Sequence, residues 1–305
     1  MNQGKIKAVI ILVDVLVLTV ILLWGINIVA SNNTLVQEVQ SIDDWRTHPQ
    51  DFKLIAFTFD DAPYAETSKD VDRTKQIVDI LNKYDGSGTF FVIGSRVSEY
   101  GTALLQYAVD NGCELGNHTY THADITSLEF VLENKDFNKN EYLQNEILAV
   151  NDMIKEQMDI ELKFFRASGL HTTEYSIEAC MEAGMPIIAG NQSESGVYNV
   201  KTAPTDWNTN TTSDHIKSAV LDYAYDGKIV LLHSTSQTMV EVLDEICTEL
   251  YDEGYRFVTL SELFEYKLGI TDISEVDVAK SLSGTRNAQG IYDIEDVVLE
   301  TENLK

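Results

Sequence analysis

Two adjacent carboxylates and a pair of histidines have the types and spacing of a metal site. Asp60 and Asp61 come directly after the apolar residues 54–59, and carboxylates that leave a buried strand are costly unless they are paired or bound to a metal. His118 and His122 are four residues apart, so they face the same way if their loop makes a helical turn. Imidazole nitrogens and carboxylate oxygens are common ligands of zinc and related ions. Together the two segments predict a divalent metal site, although each alone is also typical of a polar loop.

A third histidine could supply a proton during a reaction. His233 follows the apolar residues 229–232 and is one of six histidines in the chain. A divalent ion with open positions can bind a water and a substrate carbonyl together. A carboxylate beside the ion can take a proton from that water, and a separate histidine can protonate a leaving amine. The set therefore predicts metal-assisted hydrolysis of an amide or ester, although His233 alone is also typical of a buried core histidine.

The segments that carry these residues alternate between strand and helix patterns. Short apolar runs predict strands, and helical spacing of apolar residues predicts the helices between them. The predicted strands are 54–59, 89–93, 113–116, 163–166, 186–189, 229–232 and 256–260, and the predicted helices are 71–84, 102–111, 140–158, 173–183, 213–224 and 237–253. This alternation indicates an α/β fold with a parallel sheet, and seven or eight units indicate a closed or partly closed (β/α) barrel. A barrel of this kind keeps its active site at the carboxyl ends of its strands.

Four segments are similar to motifs of the polysaccharide deacetylases, carbohydrate esterase family four. In chain order they are residues 58–63 (Thr-Phe-Asp-Asp-Ala-Pro), residues 116–122 (Gly-Asn-His-Thr-Tyr-Thr-His), Asp206-Trp207, and Leu231 to His233. The one difference in the first motif is Ala62, where the family has glycine. Motif order and spacing agree across residues 52–265. The resemblance therefore covers most of the chain beyond its N-terminal segment.

The resemblance implies a role for each motif residue. Asp60 is expected to be the general base, His233 the general acid, Asp206 the residue that orients His233, Asp61, His118 and His122 the metal ligands, and Trp207 and Leu231 the walls of a pocket for the acetyl methyl group. The implied fold is a distorted (β/α) barrel of seven or eight strands. The implied cofactor is a divalent metal, usually zinc, with cobalt or nickel as functional substitutes.

One motif departs from the family pattern. The family's third motif reads Arg-x-Pro-Tyr, and its arginine pairs with the catalytic base. Arg166 is present here, but Ser168 and Gly169 stand in place of the proline and the tyrosine. The resemblance implies that the backbone N–H of this tyrosine donates a hydrogen bond to the oxyanion. Gly169 keeps such a donor, because only proline lacks a backbone N–H. Substrate preference and full catalytic competence are the properties that this departure affects.

Composition excludes several classes of partner. The formal net charge is −27, which argues against nucleic acid or an anionic bilayer surface as the main partner, since both require clustered lysine and arginine. The cysteines, Cys113, Cys180 and Cys247, are too few and too widely spaced for a disulfide framework or a CxxC metal ribbon. A neutral sugar polymer remains compatible with the acidic charge.

The N-terminal segment predicts export. Residues 8–30 are mostly apolar and long enough to span a bilayer, and Lys5 and Lys7 precede them, which orients the N-terminus inside and the remainder outside. The alternative is a cleaved signal peptide and a secreted protein. The predicted organisation is an anchor or signal segment at 1–30, a spacer at 31–52, a catalytic domain at 53–268 and an acidic tail at 269–305.

The sequence thus predicts a single-pass, membrane-anchored enzyme whose extracellular domain removes acetyl groups from a polysaccharide. An N-acetylglucosamine polymer of the cell surface, such as peptidoglycan or a chitin-like glycan, is the expected substrate. Three alternatives stay open at this point. They are a catalytically impaired member that binds glycan, an O-acetyl xylan esterase, and an amidase of a small molecule on the same fold.

Overall fold

The computed structural model describes residues 45–66, 71–124, 139–170, 174–188 and 203–276. The chain divides into two compact units, Met1–His48 and Pro49–Lys305, and the fold considered below is that of the second unit. The predicted membrane segment at 8–30 lies outside the described residues, and so do residues 277–305 of the predicted tail. Within the described ranges, no helix is both long enough and apolar enough to cross a membrane.

The described part of the second unit alternates strands with helices. The strands are β1 (Lys53–Ala62), β2 (Ala65–Glu66), β3 (Val71–Asp72), β4 (Thr89–Val92), β5 (Glu114–Asn117), β6 (Lys228–His233) and β7 (Tyr255–Phe257). The helices are α1 (Arg73–Asn82), α2 (Glu99–Asp110), α3 (Lys139–Met158), α4 (Glu174–Glu182), α5 (Ser213–Leu221), α6 (Gln237–Asp252) and α7 (Leu260–Leu268). Short 3-10 helices occur as well, among them Ser168–Leu170, which follows Arg166.

A parallel sheet organises these elements around β1. Strand β6 pairs with one side of β1, and β4 pairs with the carboxyl half of the other side. Strand β7 pairs with the first residues of β1, and β5 continues the sheet beyond β4. All of these pairings are parallel, which confirms the predicted α/β sheet. Closure of the sheet into a barrel stays a prediction.

Burial explains why β1 is an apolar run without alternation. Every residue from Leu54 to Phe59 is buried, as expected for a central parallel strand that is covered on both faces. Aromatic rings pack along it, with Phe59 stacked on Phe90 at a centroid distance of 5.1 Å. This packed sheet is the rigid support on which the polar strand ends are displayed.

Strand β1 is longer than the sequence predicts. The prediction ended it at residue 59, with Asp60 and Asp61 in the following loop, whereas the strand continues to Ala62. Its carboxyl end keeps partners on both sides, because Ser234 N–H donates to the Asp60 carbonyl at 2.8 Å and Ile93 N–H donates to the Ala62 carbonyl at 2.8 Å. The two carboxylates therefore project from a strand and not from a flexible turn.

Two predicted strands are represented by isolated bridging residues. Phe165 bridges Asn117 on one side and Ile187 on the other, in parallel orientation, so residues 163–166 were wrong as a full strand. In the segment 186–189, Ile187 and Ile188 are bridging residues, and residue 189 lies outside the described residues. The physical reason lies in Pro186, which accepts a hydrogen bond from Phe165 N–H but has no N–H with which to extend the ladder. Phe165 and Ile187 still continue the parallel sheet beyond Asn117 of β5.

The end of β7 was also predicted wrongly. The predicted strand 256–260 stops at Phe257, and helix α7 begins at Leu260. Thr259 caps this helix: its side chain accepts a hydrogen bond from Glu262 N–H, and the Glu262 carboxylate accepts one from Thr259 N–H. This capping box ends the extended conformation although the apolar run continues into the helix.

Candidate active site

The polar residues at the carboxyl ends of the strands surround one cavity of about 420 Å³. Its lining residues are Asp60, Asp61, His118, His122, Gly169, Leu170, Thr205, Asp206, Trp207, Leu231 and His233. All of the predicted site residues lie in this lining except Arg166, which is fully buried behind Asp60. The structure therefore brings the predicted set together at the predicted edge of the sheet.

Asp60 is held in a buried ion pair. Its Oδ1 accepts a hydrogen bond from Arg166 Nη1 at 2.7 Å, and the same nitrogen donates to Thr58 Oγ1 at 2.8 Å. Arg166 Nε donates to the Ile188 carbonyl at 3.1 Å, which fixes the guanidinium from a second segment. The other carboxylate oxygen, Oδ2, lies 3.7 Å from His118 Nε2. Asp60 thus has one oxygen engaged and one directed toward the histidine pair.

Asp61 lies beside the two histidines with an unsatisfied oxygen. Its Oδ1 is 3.0 Å from His122 Nε2 and 3.8 Å from His118 Nε2, yet this buried atom has no hydrogen-bond partner in the described structure. Burial raises the pKa of Asp61, but the neighbouring imidazoles of His122, His118 and His233 lower it well below its usual range. An anionic oxygen that is buried and not hydrogen-bonded is costly unless a cation completes its environment.

A turn after β5 carries the two histidines. His118 N–H donates to the Val92 carbonyl at 2.9 Å, which continues the pairing of β5 with β4. The carboxylate of Glu146, from α3, accepts hydrogen bonds from Thr121 N–H at 2.9 Å and from Thr121 Oγ1 at 3.0 Å. The turn is therefore fixed from the sheet and from a helix.

The ring of His118 is oriented by a backbone carbonyl. Its Nδ1 is 2.7 Å from the Arg166 carbonyl. A carbonyl can only accept, so Nδ1 carries the proton and Nε2 presents its lone pair to the cavity. Burial lowers the pKa of His118, which favours the neutral imidazole that binds metals. Such a hydrogen bond on the distal nitrogen is typical of a metal-ligating histidine.

These observations fit a divalent metal ion. One ligand atom from each of Asp61, His118 and His122 lies within 4.8 Å of the others. The set combines an oxygen that lacks a partner with two imidazole nitrogens, one of them fixed in the neutral tautomer. Two nitrogens and one carboxylate oxygen are a donor set that zinc, cobalt and nickel accept.

His233 and Asp206 form a second charged pair. His233 Nδ1 lies 2.9 Å from Asp206 Oδ1, and His233 N–H donates to Asp206 Oδ2 at 2.8 Å, so the carboxylate holds both the ring and the backbone. Burial lowers the pKa of His233, but the hydrogen bond to Asp206 and the charges of Asp206, Asp60 and Asp61 raise it to about 9. His233 is therefore protonated at neutral pH.

Several supporting residues were not predicted. Leu170 and Thr205 line the cavity, Thr235 Oγ1 donates to Asp61 Oδ2 at 3.4 Å, and an Arg96 guanidinium nitrogen donates to the Asp61 carbonyl. Leu170, which adjoins the third motif, and Thr235, two residues after His233, could have been proposed from their proximity to motif residues. No local pattern marks Arg96, because its role depends on the turn that follows β4.

Several residues around the cavity have backbone conformations that residues other than glycine rarely adopt. Positive φ angles occur at Asp61 (67°), Thr119 (68°), His122 (62°), Leu170 (61°) and Thr205 (45°). Residues other than glycine are strained in this region, and such strain persists only where the surrounding contacts require it. Its concentration at one edge of the sheet independently marks that edge as the functional one.

Comparison with known proteins identifies the family. Residues 47–188 match the polysaccharide deacetylase family. The chain is 33% identical over 223 residues to a peptidoglycan-N-acetylglucosamine deacetylase of Bacillus cereus, an alignment that covers 72% of this chain and 92% of that protein. The chain belongs to the polysaccharide deacetylase family. The resemblance inferred from the motifs is therefore confirmed.

Other relatives of this polysaccharide deacetylase family member extend the comparison to xylan-related enzymes. It is 35% identical over 226 residues to a bifunctional xylanase/deacetylase of Pseudobutyrivibrio xylanivorans, covering 72% of this chain but 32% of that longer protein. The structure of a family 4 acetyl xylan esterase from Clostridium thermocellum, in complex with a cobalt ion, matches with a TM-score of 0.57 at 29% identity, covering 73% of this chain and 96% of that one. The chain spans less than half the length of several of its curated relatives, 32% to 43% of them.

Proposed function

We propose that this chain is a metal-dependent deacetylase that hydrolyses the N-acetyl groups of a cell-surface polysaccharide. One observation supports the proposal most: Asp60 and His233 are direct partners in the register of β1 and β6, and the Asp61, His118 and His122 cluster faces the same cavity. A base, an acid and a metal site are thus arranged around one space, as hydrolysis of an amide requires.

Asp61, His118 and His122 would hold the ion, which we propose to be zinc, with cobalt or nickel as substitutes. A bound divalent ion makes a water molecule more acidic and polarises a carbonyl oxygen. The remaining steps belong to the side chains. Asp60 accepts the proton of the attacking water on Oδ2, the oxygen that faces the histidines, while its ion pair with Arg166 fixes the carboxylate. Arg166 therefore positions the base.

His233 donates a proton to the departing nitrogen. Its Nδ1 is engaged by Asp206, so Nε2 is the atom that can serve the substrate. The raised pKa of His233, about 9, keeps the ring in the acid form at neutral pH. Asp206 thus acts through His233, which it orients and keeps charged.

The walls of the cavity suit an acetyl group. The buried Leu231 and the exposed Trp207 both line the cavity, which gives the methyl group an apolar surface. Gly169 lies on the same lining with φ 67°, and its backbone N–H is the proposed donor to the oxyanion. Because Gly169 has no side chain, we propose that this wall of the cleft is lower than the tyrosine of the family's third motif would make it.

An N-acetylglucosamine polymer, peptidoglycan or a chitin-like glycan, is the substrate that we propose first. The Bacillus cereus relative is a peptidoglycan-N-acetylglucosamine deacetylase. We further propose that residues 8–30 anchor the chain in the cell membrane with the catalytic domain outside, next to the cell wall. O-acetylated xylan is a second candidate, because the xylanase/deacetylase and the acetyl xylan esterase are close relatives. A glycan binder without turnover is a weaker alternative, because Asp60, Arg166 and His233 are all retained in their pairs.

Acetate release tests the proposal. The purified full-length chain would be stripped of metal, reloaded with zinc or cobalt, and assayed on N-acetylglucosamine oligomers, peptidoglycan and acetylated xylan. Asp60→Asn and His118→Ala should each abolish metal-dependent release. Asp244→Asn, which changes a partly exposed carboxylate on α6, is the matched control and should retain activity. Tight metal binding without acetate from any of the three polymers would contradict the proposal.

A further inference from the structure

Ser168 connects the segment that supports the base to the turn that carries the metal ligands. Its side chain is buried, at 1% exposure. Ser168 Oγ lies 3.1 Å from Thr119 Oγ1, and it is 3.4 Å from the carbonyl of His118. Both partners belong to the turn between His118 and His122. A serine hydroxyl can donate one hydrogen bond and accept another, so one side chain can serve both contacts.

Thr119 needs such contacts because its backbone is strained. Its φ of 68° lies in the left-handed region, where a β-branched residue is an outlier. Its N–H donates to Asn117 Oδ1 at 2.9 Å and its carbonyl accepts from Gly94 N–H at 3.0 Å. Ser168 Oγ contacts the Thr119 hydroxyl. These contacts hold Thr119, where the backbone turns sharply between the two proposed ligand histidines.

The segment on the other side of this link has two functions of its own. Arg166 pairs with Asp60, and its carbonyl orients the ring of His118. Gly169 lines the cavity one residue after Ser168. Any movement of Ser168 relative to Thr119 therefore changes the distances between the base, the ligand histidines and the proposed oxyanion donor together.

We propose that the Ser168 hydroxyl is a positioning residue that locks the metal-binding turn to the segment 166–170, so that ligands, base and oxyanion donor keep one geometry. The inference rests on the proposed function for its catalytic consequence, but its effect on metal binding is independent of the substrate. Groups that hydrogen-bond directly to metal ligands typically contribute about 10–100-fold to affinity, and Ser168 acts through the backbone carbonyl of His118 and not through its ring, so the lower end of this range is expected. Ser168→Ala is therefore expected to weaken zinc binding by about tenfold, and to lower kcat with little change in KM.

Thr119 provides the reciprocal variants. Thr119→Val removes the hydroxyl but keeps the shape, and it should weaken zinc binding as Ser168→Ala does. Thr119→Ser keeps the hydroxyl and should retain the affinity of the unmodified chain. The double variant Ser168→Ala/Thr119→Val should lose little more than Ser168→Ala alone, because Thr119→Val removes only a contact that Ser168→Ala already removes. A merely structural role would lower thermal stability without this pattern.

The experiment measures zinc affinity of the full-length chain by competition with a chromophoric chelator, and the visible spectrum of the cobalt form reports ligand geometry. Ser87→Ala is the matched control: Ser87 is buried and donates one hydrogen bond to Glu262 at 3.0 Å, at the opposite end of the sheet. A weaker affinity and altered cobalt spectrum in Ser168→Ala, absent in Ser87→Ala, supports the proposal.

Zinc affinity of Ser168→Ala within about twofold of both the unmodified chain and Ser87→Ala would overturn the proposal, since outer hydrogen-bond partners contribute about tenfold or more. Additive losses in the double variant would overturn the pairing with Thr119. If the unmodified chain binds zinc but releases no acetate, the proposed function fails, while the affinity comparison still decides the role of Ser168. A chain that binds no zinc at all would overturn both.

Discussion

Asp60 and His233 are cross-strand neighbours with opposite proposed roles, and each role follows from a different partner. Arg166 donates to Asp60 from the buried side of the sheet, which leaves the second carboxylate oxygen for proton transfer. Asp206 holds Nδ1 of His233 and raises its pKa. Two neighbouring titratable groups whose environments favour opposite protonation states are the usual sign of a catalytic acid and base.

Asp206→Asn should shift the alkaline limb of the pH profile to lower pH. The ordinary pKa of histidine is 6.5 and that of His233 is raised to about 9, so the acid form persists up to about pH 9 and kcat/KM should fall above it. Asparagine can still accept from Nδ1 but removes the negative charge, so the pKa of His233 should fall. Profiles of acetate release for both chains measure this shift. An unchanged alkaline limb would show that another group supplies the proton.

The same shift has a consequence for stability. Because the pKa of His233 is higher in the folded than in the unfolded chain, the pair stabilises the fold fully below about pH 6.5, the unfolded value. This contribution should be lost as the pH rises through about 9. Between about pH 6.5 and 9, the free energy of unfolding should therefore fall more steeply with pH in the unmodified chain than in Asp206→Asn.

Arg166→Met should destabilise the fold more than the double variant Arg166→Met/Asp60→Asn. Removing the guanidinium leaves the Asp60 carboxylate buried without its cation, a change that typically costs about 3–5 kcal/mol. Asparagine at position 60 removes the charge and should restore part of the free energy of unfolding. Urea unfolding of the metal-free chains measures both values. If the double variant were the less stable of the two, burial of an unpaired charge would not be the cause.

At the residue scale, the sequence predicted the catalytic and metal-binding residues better than the residues that hold them in place. Asp60, Asp61 and the three histidines are recognisable because their residue types are costly at strand ends without a purpose. Arg96 and Glu146 escaped notice, because an arginine after a strand or a glutamate on a helix is ordinary in sequence. Only the fold shows that they contact the backbone of Asp61 and of the histidine turn.

At the element scale, the two ends of the sheet serve different purposes. The carboxyl ends carry the cavity. At the amino ends, α7 contacts the first residues of β4 and β5. Leu260 N–H donates to Thr89 Oγ1, and Ser261 N–H donates to Glu114 Oε2. Burial raises the pKa of Glu114, and the donors from α7 satisfy its oxygens. Stability and function can therefore be perturbed separately.

Thr259→Ala should lower stability without affecting catalysis. The Thr259 hydroxyl accepts from Glu262 N–H at 3.1 Å in the capping box of α7, and loss of such a cap typically costs about 1 kcal/mol. Because α7 lies at the end of the sheet away from the cavity, kcat/KM should stay within about twofold, a change that corresponds to less than 0.5 kcal/mol. Urea unfolding and acetate release measure the two properties. A large fall in kcat/KM at full folding would contradict the separation of the two ends.

Element prediction succeeded where one periodicity decided the structure. The central strand and the long helices were found because apolar runs and helical spacing are strong local signals. The failures share a cause: at Phe165 and Ile187 the ladder depends on the partner Pro186, and at Phe257 the strand ends because Thr259 and Glu262 form a cap. In each case a property other than hydrophobicity, a missing N–H or a capping hydrogen bond, sets the boundary, so the apolar run alone could not predict it.

At the scale of the whole molecule, the metal should link the cavity to the stability of the fold. The proposed ligands come from two parts of the chain, since Asp61 lies at the end of β1 and the two histidines follow β5. An ion bound to both would favour the folded chain over the unfolded one, in which the ligands separate. Binding linkage gives the size of the effect, about 2.7 kcal/mol at a free ligand concentration 100 times the Kd.

Zinc at that concentration should therefore raise the free energy of unfolding of the metal-free full-length chain by about 2.7 kcal/mol, and a chelator should reverse the gain. Far-UV circular dichroism during urea unfolding measures both states. Asp61→Asn removes one ligand and should abolish most of the gain, whereas Asp60→Asn removes the proposed base and should retain it. Equal gains in both variants would mean that zinc binds elsewhere on the chain. A gain lost only in Asp60→Asn would exchange the roles of the two carboxylates.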